Sequence, residues 1–149
     1  MSENNPIRLF VSHLFEADAD YLRVFEFLES VDRFYYVNSS NPDNIPDSGG
    51  IEAMKDEYIA QIKECEAVVV LASHFIENPD LVGFQLDVAE AGHKPIIAIR
   101  PFGGVTETPD ELTQRVKEHI EWNSRDIADS IRRQARLEDT ARWDVIDFP

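Results

Sequence analysis

One cysteine in 149 residues, Cys65, excludes an internal disulfide. Its neighbours Glu64 and Glu66 disfavour a stabilised thiolate, so a half-buried structural residue of a cytosolic protein is expected. Basic residues are scarce as well: 14 Lys and Arg stand against 29 Asp and Glu, a formal net charge of −15. A surface this acidic repels phosphate backbones, which argues against nucleic-acid partners and otherwise serves solubility. No apolar run approaches the ~20 residues of a membrane span, and the start MSENNPIRLF lacks the basic and apolar regions of a signal peptide. A cytoplasmic protein without a membrane partner is the expectation.

Several cofactor and catalytic signatures are missing too. Neither G-x-G-x-x-G nor G-x-x-x-x-G-K-[ST] occurs, and no G-x-S-x-G marks a nucleophile elbow. The stretch HLFEADAD, after the first apolar run, is acidic where a flavin phosphate loop would need Gly, Thr and Ser. A phospho-accepting receiver needs an aspartate closing its third strand, and this chain has Leu-Ala-Ser-His there. The histidines at 13, 74, 93 and 119 lack ligand spacing, and Glu16, Asp18 and Asp20 lack the Gly and distal Glu of a calcium loop. No metal and no covalently bound cofactor is expected.

What is present alternates between two periods. Apolar β-rich runs occur at Ile7–Val11, Phe34–Asn38, Ala67–Ala72 and Pro95–Ile99, with a shorter one near Glu118–Trp122. Helical patterns lie between them. Tyr21, Val24, Phe25 and Leu28 share a face behind Asp18 or Asp20 as N-cap. Ile51, Met54, Tyr58 and Ile62 mark a second helix, and Pro79 to Ala91 a third. Asn123 or Ser124 caps a last one carrying Ile127, Ile131 and Ala135. AVVVLA is continuously apolar, as a strand covered on both faces must be. This alternation predicts an α/β fold: a three-layer, doubly wound parallel sheet of four or five strands. One domain is expected over residues 1–149, with a core of about 7–136. Trp143, Val145, Ile146 and Phe148 suggest that the tail 137–149 packs back onto it.

Such sheets bind ligands beyond the carboxyl ends of their strands. Those ends carry Ser12 and His13, then Asn38, Ser39, Ser40 and Asn41, then Ser73 and His74, then Arg100, Pro101, Phe102 and Gly103. The turn-rich stretch from Ser39 to Gly50 is long enough for a functional loop. In the third helix Leu81, Phe84, Gln85 and Val88 share one face, which turns an amide inward.

Three segments together resemble the TIR-like family, flavodoxin-topology domains that include the NAD-cleaving sensors of bacterial anti-phage systems such as Thoeris. RLFVSH, Arg8 to His13, is similar to the family's first box. The Ser39–Gly50 loop falls where its variable second-box loop lies. Ser73, Phe75, Leu81, Val82, Gln85, Leu86 and Ala89 match the family's serine, aromatic and W-C-x-x-E-L-x-x-A helix. KPIIAIRPFGG and EWNSRDIADSIRR add to the likeness, which covers residues 7 to 136.

The resemblance implies a nucleotide ligand, NAD+ as substrate, and self-association or a downstream effector protein as partner. It also implies a site of Ser12, His13, Asn38, Ser39, Ser73, His74, Phe75 and Phe102, with Phe75 or Phe102 stacking on a base. The family's catalytic glutamate corresponds to Gln85. An amide can bond ribose hydroxyls but carries no charge for a developing oxocarbenium ion, a loss of about a thousandfold in rate. Asp87 and Glu90 point elsewhere around the helix, at about 200° and 140° from Gln85. Three functions follow: an NAD+ glycohydrolase or ADP-ribosyl cyclase, a catalytically silent binding or assembly module, and a nucleoside deoxyribosyltransferase-like enzyme. In the bland reading Gln85 simply ties its helix to neighbouring backbone.

Overall fold

The computed structural model describes residues 1–136; the expected packing of the 137–149 tail lies outside them. Five strands form one parallel sheet: β1 (Ile7–Val11), β2 (Tyr36–Asn38), β3 (Ala67–Leu71), β4 (Ile96–Ile99) and β5 (Glu118–Ile120). Their spatial order is β2-β1-β3-β4-β5, a flavodoxin-like arrangement whose order reverses between β1 and β3. Register is set by pairs such as Phe10 with Val68 and Val70 with Ala98.

Strict alternation along the strands builds the three layers. Ile7, Leu9, Val11, Ala67, Val69, Leu71, Ile97 and Ile99 face one way. There they meet Tyr21, Val24 and Leu28 of α1 (Ala19–Glu29) and Ile127, Ala128 and Ile131 of α6 (Ser124–Arg136). Phe10, Val68, Val70, Ile96 and Ala98 face the other way. That face is covered by α2 (Gly50–Lys63), α3 (Ala72–Glu77), α4 (Pro79–Ala91) and α5 (Asp110–Thr113). The central strand β3 is buried at every position, because both layers close over it.

Local chemistry sets the helix starts. The Asp18 side chain accepts from the Tyr21 N–H and caps α1, and Asn78 does the same for α4 through Leu81 with Pro79 in the first turn. Asn123 caps α6 through the Asp126 N–H. Two expectations shift. Ile51, read as part of the apolar face of α2, is 48% exposed, and the buried face is Tyr58, Gln61 and Ile62. The run Ala67–Ala72 ends as a strand at Leu71, and Ala72 already opens α3. Ser73 and His74 therefore stand in a helical turn that no polar residue announces. At the other end of the sheet, Arg136 pairs with Glu66 and also bonds the Asn5 and Pro6 carbonyls, fastening α6 to the start of β1.

Candidate functional site

The carboxyl rim gathers its polar residues into two connected groups. The first is buried. Ser12 Oγ accepts from the Leu71 N–H at 3.0 Å and lies 3.0 Å from His74 Nδ1. His74 Nε2 is 2.9 Å from Asp18, the α1 cap. This Ser–His–Asp chain resembles a hydrolytic triad in composition only. Ser12 and His74 are each 1% exposed, and the serine oxygen is engaged on both sides. It is a strut joining β1, α3 and α1.

His13 and Gln85 form the rest of the buried group. The Phe15 N–H donates to His13 Nδ1 at 3.1 Å, so Nε2 carries the proton and donates to Gln61 Oε1 at 2.8 Å. Burial pushes the His13 imidazole down to about 4, against the Gln61 hydrogen bond, so it is neutral at pH 7. Gln85 Nε2 donates to the His13 carbonyl at 3.0 Å, and its Oε1 accepts from the His13 N–H at 3.3 Å. Tyr58 donates to the same carbonyl at 2.7 Å. The amide thus replaces the strand neighbour that His13 loses on leaving β1.

The second group lies at the surface. A cavity of about 350 Å³ is lined by Asp20, Ser73, Ile76, Pro101, Phe102 and Thr106. Ser73 Oγ donates to Asp20 at 2.7 Å, and Arg23 pairs with the same carboxylate. The Arg23 guanidinium stacks 3.8 Å from the Phe102 ring centre, and Trp122 meets Phe102 edge-on at 5.6 Å. Phe102 remains 51% exposed.

Of the residues expected at the site, Ser73 and Phe102 line this cavity. Gln85, expected to line the hollow with Ser12, His13 and Ser73, is 1% exposed and does not line this cavity. It faces inward as the helical period requires, but its partner is backbone. Phe75, the other candidate for stacking, is 7% exposed and packed in the second core with Val82 and Leu86. The inward face of α4 is Val82, Gln85, Leu86 and Ala89, rotated from the face of Leu81, Phe84 and Val88. Asn38 ends β2 and Ser39 follows it. Asn38 donates to the Tyr21 hydroxyl and Ser39 to the Leu9 carbonyl, which ties down the start of the Ser39–Gly50 loop. Asn41 continues this by bonding Gln61 in both directions.

No motif in the sequence marks Asp20, Arg23 or Thr106 as a site residue. Asp20 and Arg23 sit on one turn of α1, whose acidic start offered a signal for a rim carboxylate but not for its pairing with Ser73. Asp87 and Glu90 point away as expected and hold Arg115.

A roomier depression, about 520 Å³, lies at the opposite edge of the sheet among Glu90, His93, Lys94, Arg115 and Lys117. Its cations are largely spent. Lys94 donates to the Lys63 and Cys65 carbonyls at the end of α2, and Arg115 is held by two carboxylates. The carboxyl rim is the better candidate. Among the described residues no group of three or more His, Cys, Asp or Glu could hold a metal, and no helix is long and apolar enough to cross a membrane. Comparison with protein-family models and with curated proteins returns no match for this chain.

Proposed function

We propose that this protein is a nucleotide-binding domain of the TIR-like kind, with its ligand in the rim cavity between α1, α3 and the loop after β4. The observation that carries the reading is one cavity lined by Asp20, Ser73 and the half-exposed Phe102. A carboxylate beside a hydroxyl suits the paired hydroxyls of a ribose, and an exposed ring offers a base a stacking surface. The volume is at the lower end for a ligand site, so it would enclose a nucleoside portion and leave the rest of a dinucleotide outside. The resemblance of RLFVSH and of the Ser73–Ala89 segment to the TIR-like family makes NAD+ the first ligand to test.

Binding without turnover is the primary reading, because residue 85 carries no charge and both ends of its amide are engaged by His13. NAD+ cleavage is the second reading, and Asp20 favours it. Asp20 lines the cavity, held by Ser73 and Arg23, and a negative charge fixed there would stabilise a ribosyl cation. Purified protein is incubated with NAD+, with binding followed by calorimetry and nicotinamide by chromatography. Binding that weakens at least tenfold in Asp20→Asn and Phe102→Ala, with no nicotinamide formed, supports the binding module. Nicotinamide release that drops a hundredfold or more in Asp20→Asn selects the enzyme. Absence of any NAD+ or ADP-ribose binding sinks both.

A further inference from the structure

Arg23 has more capacity than its present contacts use. A guanidinium carries five N–H donors, and among the described residues only Asp20 accepts from this one, through Nη1. Nε and Nη2 have no acceptor among these residues. The side chain is nevertheless only 23% exposed, held flat by Phe102 at 3.8 Å and by Trp122 at 5.7 Å. Trp122 is in turn fixed by its Nε1–H bond to the Arg100 carbonyl at 2.8 Å and by Phe27 at 5.2 Å. A cation immobilised by two aromatic rings has lost its rotamer entropy before any ligand arrives.

The position matters as much as the pairing. Asp20 and Phe102, two of the groups Arg23 touches, are themselves walls of the rim cavity. The chain as a whole carries a net charge of −15, which repels anions at long range. An anionic ligand can bind only where a local cation outweighs that field. Arg100, the other arginine at this rim, is already paired with Glu121. Arg23 is the partly buried cation with unspent donors in contact with the cavity walls.

From this we infer that Arg23 is the specificity-determining residue of the rim site, and that it selects ligands bearing a phosphate group over their uncharged nucleosides. The inference rests on the nucleotide-binding reading of the same cavity and adds to it a division of labour. Asp20 and Ser73 take hydroxyls, Phe102 takes the base, and the free Nε and Nη2 donors take phosphate oxygens in fork geometry. If Arg23 only braced Phe102 and Asp20, nucleoside and nucleotide would suffer alike from its loss.

The test uses adenosine and adenosine 5′-monophosphate as probes, titrated calorimetrically into the full chain at low and at 0.15 M salt. Wild-type protein binds the monophosphate at least tenfold more tightly than adenosine. In Arg23→Gln the monophosphate loses at least tenfold more affinity than adenosine does, and the preference between the two probes disappears. In Arg23→Lys, which keeps the charge but not the fork, part of the preference remains. Melting curves of both variants establish that they are folded, and Phe102→Ala locates the binding by weakening both probes. Equal affinity of the two probes for wild-type protein, or a preference that persists in Arg23→Gln, overturns the inference while leaving the cavity as a nucleoside site. Failure of both probes to bind overturns it together with the reading on which it rests.

Discussion

The side-chain amide of Gln85 is held at both ends by one residue, donating to the His13 carbonyl and accepting from the His13 N–H. That contact decides what a carboxylate would do in its place. In Gln85→Glu an ionised group, buried and with no cation beside it, would face the His13 and Leu81 carbonyls. The expected outcome is a loss of about 3–5 kcal/mol at pH 7.5, read from urea midpoints, with part of it regained toward acid pH as the carboxyl takes up a proton. His13 itself sets a second pH dependence. Its folded value of about 4 lies below the ordinary 6.5, so the folded state favours the neutral ring. The stability this contributes is complete above pH 6.5 and is lost as pH falls toward 4, up to about 3 kcal/mol. Urea midpoints of wild type should therefore decline through that window more steeply than those of His13→Asn. The inward direction of residue 85 was legible from helical period; the identity of its partner was not, because it comes from a strand end seventy-two positions away.

At the scale of elements, α1 begins where two functions meet. Asp18 caps the helix through Tyr21 and receives His74 from α3. Asp18→Ala should cost about 2 kcal/mol, one part from the lost cap and one from the stranded imidazole. Asp18→Asn, which still caps, should cost roughly half as much. The middle of α4 offers the opposite case. A Cβ added at Gly83 would meet nothing within 4 Å, and the residue has ordinary helical backbone. Gly83→Ala is expected to raise stability by about 0.5–1 kcal/mol in thermal or urea unfolding, through lower unfolded-state entropy. The strands and long helices could be read from their periods and caps. The six-residue α3 could not, since it follows Leu71 with no capping side chain and no turn former between. It is this helix that puts Ser73 against Asp20.

For the whole molecule, charge is the dominant global term. A net charge of −15 on a chain of this size stores repulsion that the folded state concentrates. Raising NaCl from about 0.01 M to 0.15 M shortens the screening length from roughly 30 Å to 8 Å and should raise the melting temperature at pH 7.5. An unchanged or lowered melting temperature would mean that attractive networks such as Glu66 with Arg136 and Arg8 outweigh the repulsion. Hydrogen bonding to Arg136 already holds the Glu66 carboxyl down at about 2, so that contribution is present above the ordinary carboxylate range and lost only in strong acid.

Periodicity in the sequence by itself determined the class of fold, the order of the strands and long helices along the chain, and which edge of the sheet collects hydroxyls and imidazoles. These are consequences of alternation and capping, which act over a few residues and need no partner. The tertiary structure alone decided that Ser12 pairs with His74 and Gln85 with His13, and that Asp20, Ser73 and Phe102 share a cavity beside Arg23. A side chain's role depends on which groups from distant elements reach it first, and that distance is set by packing.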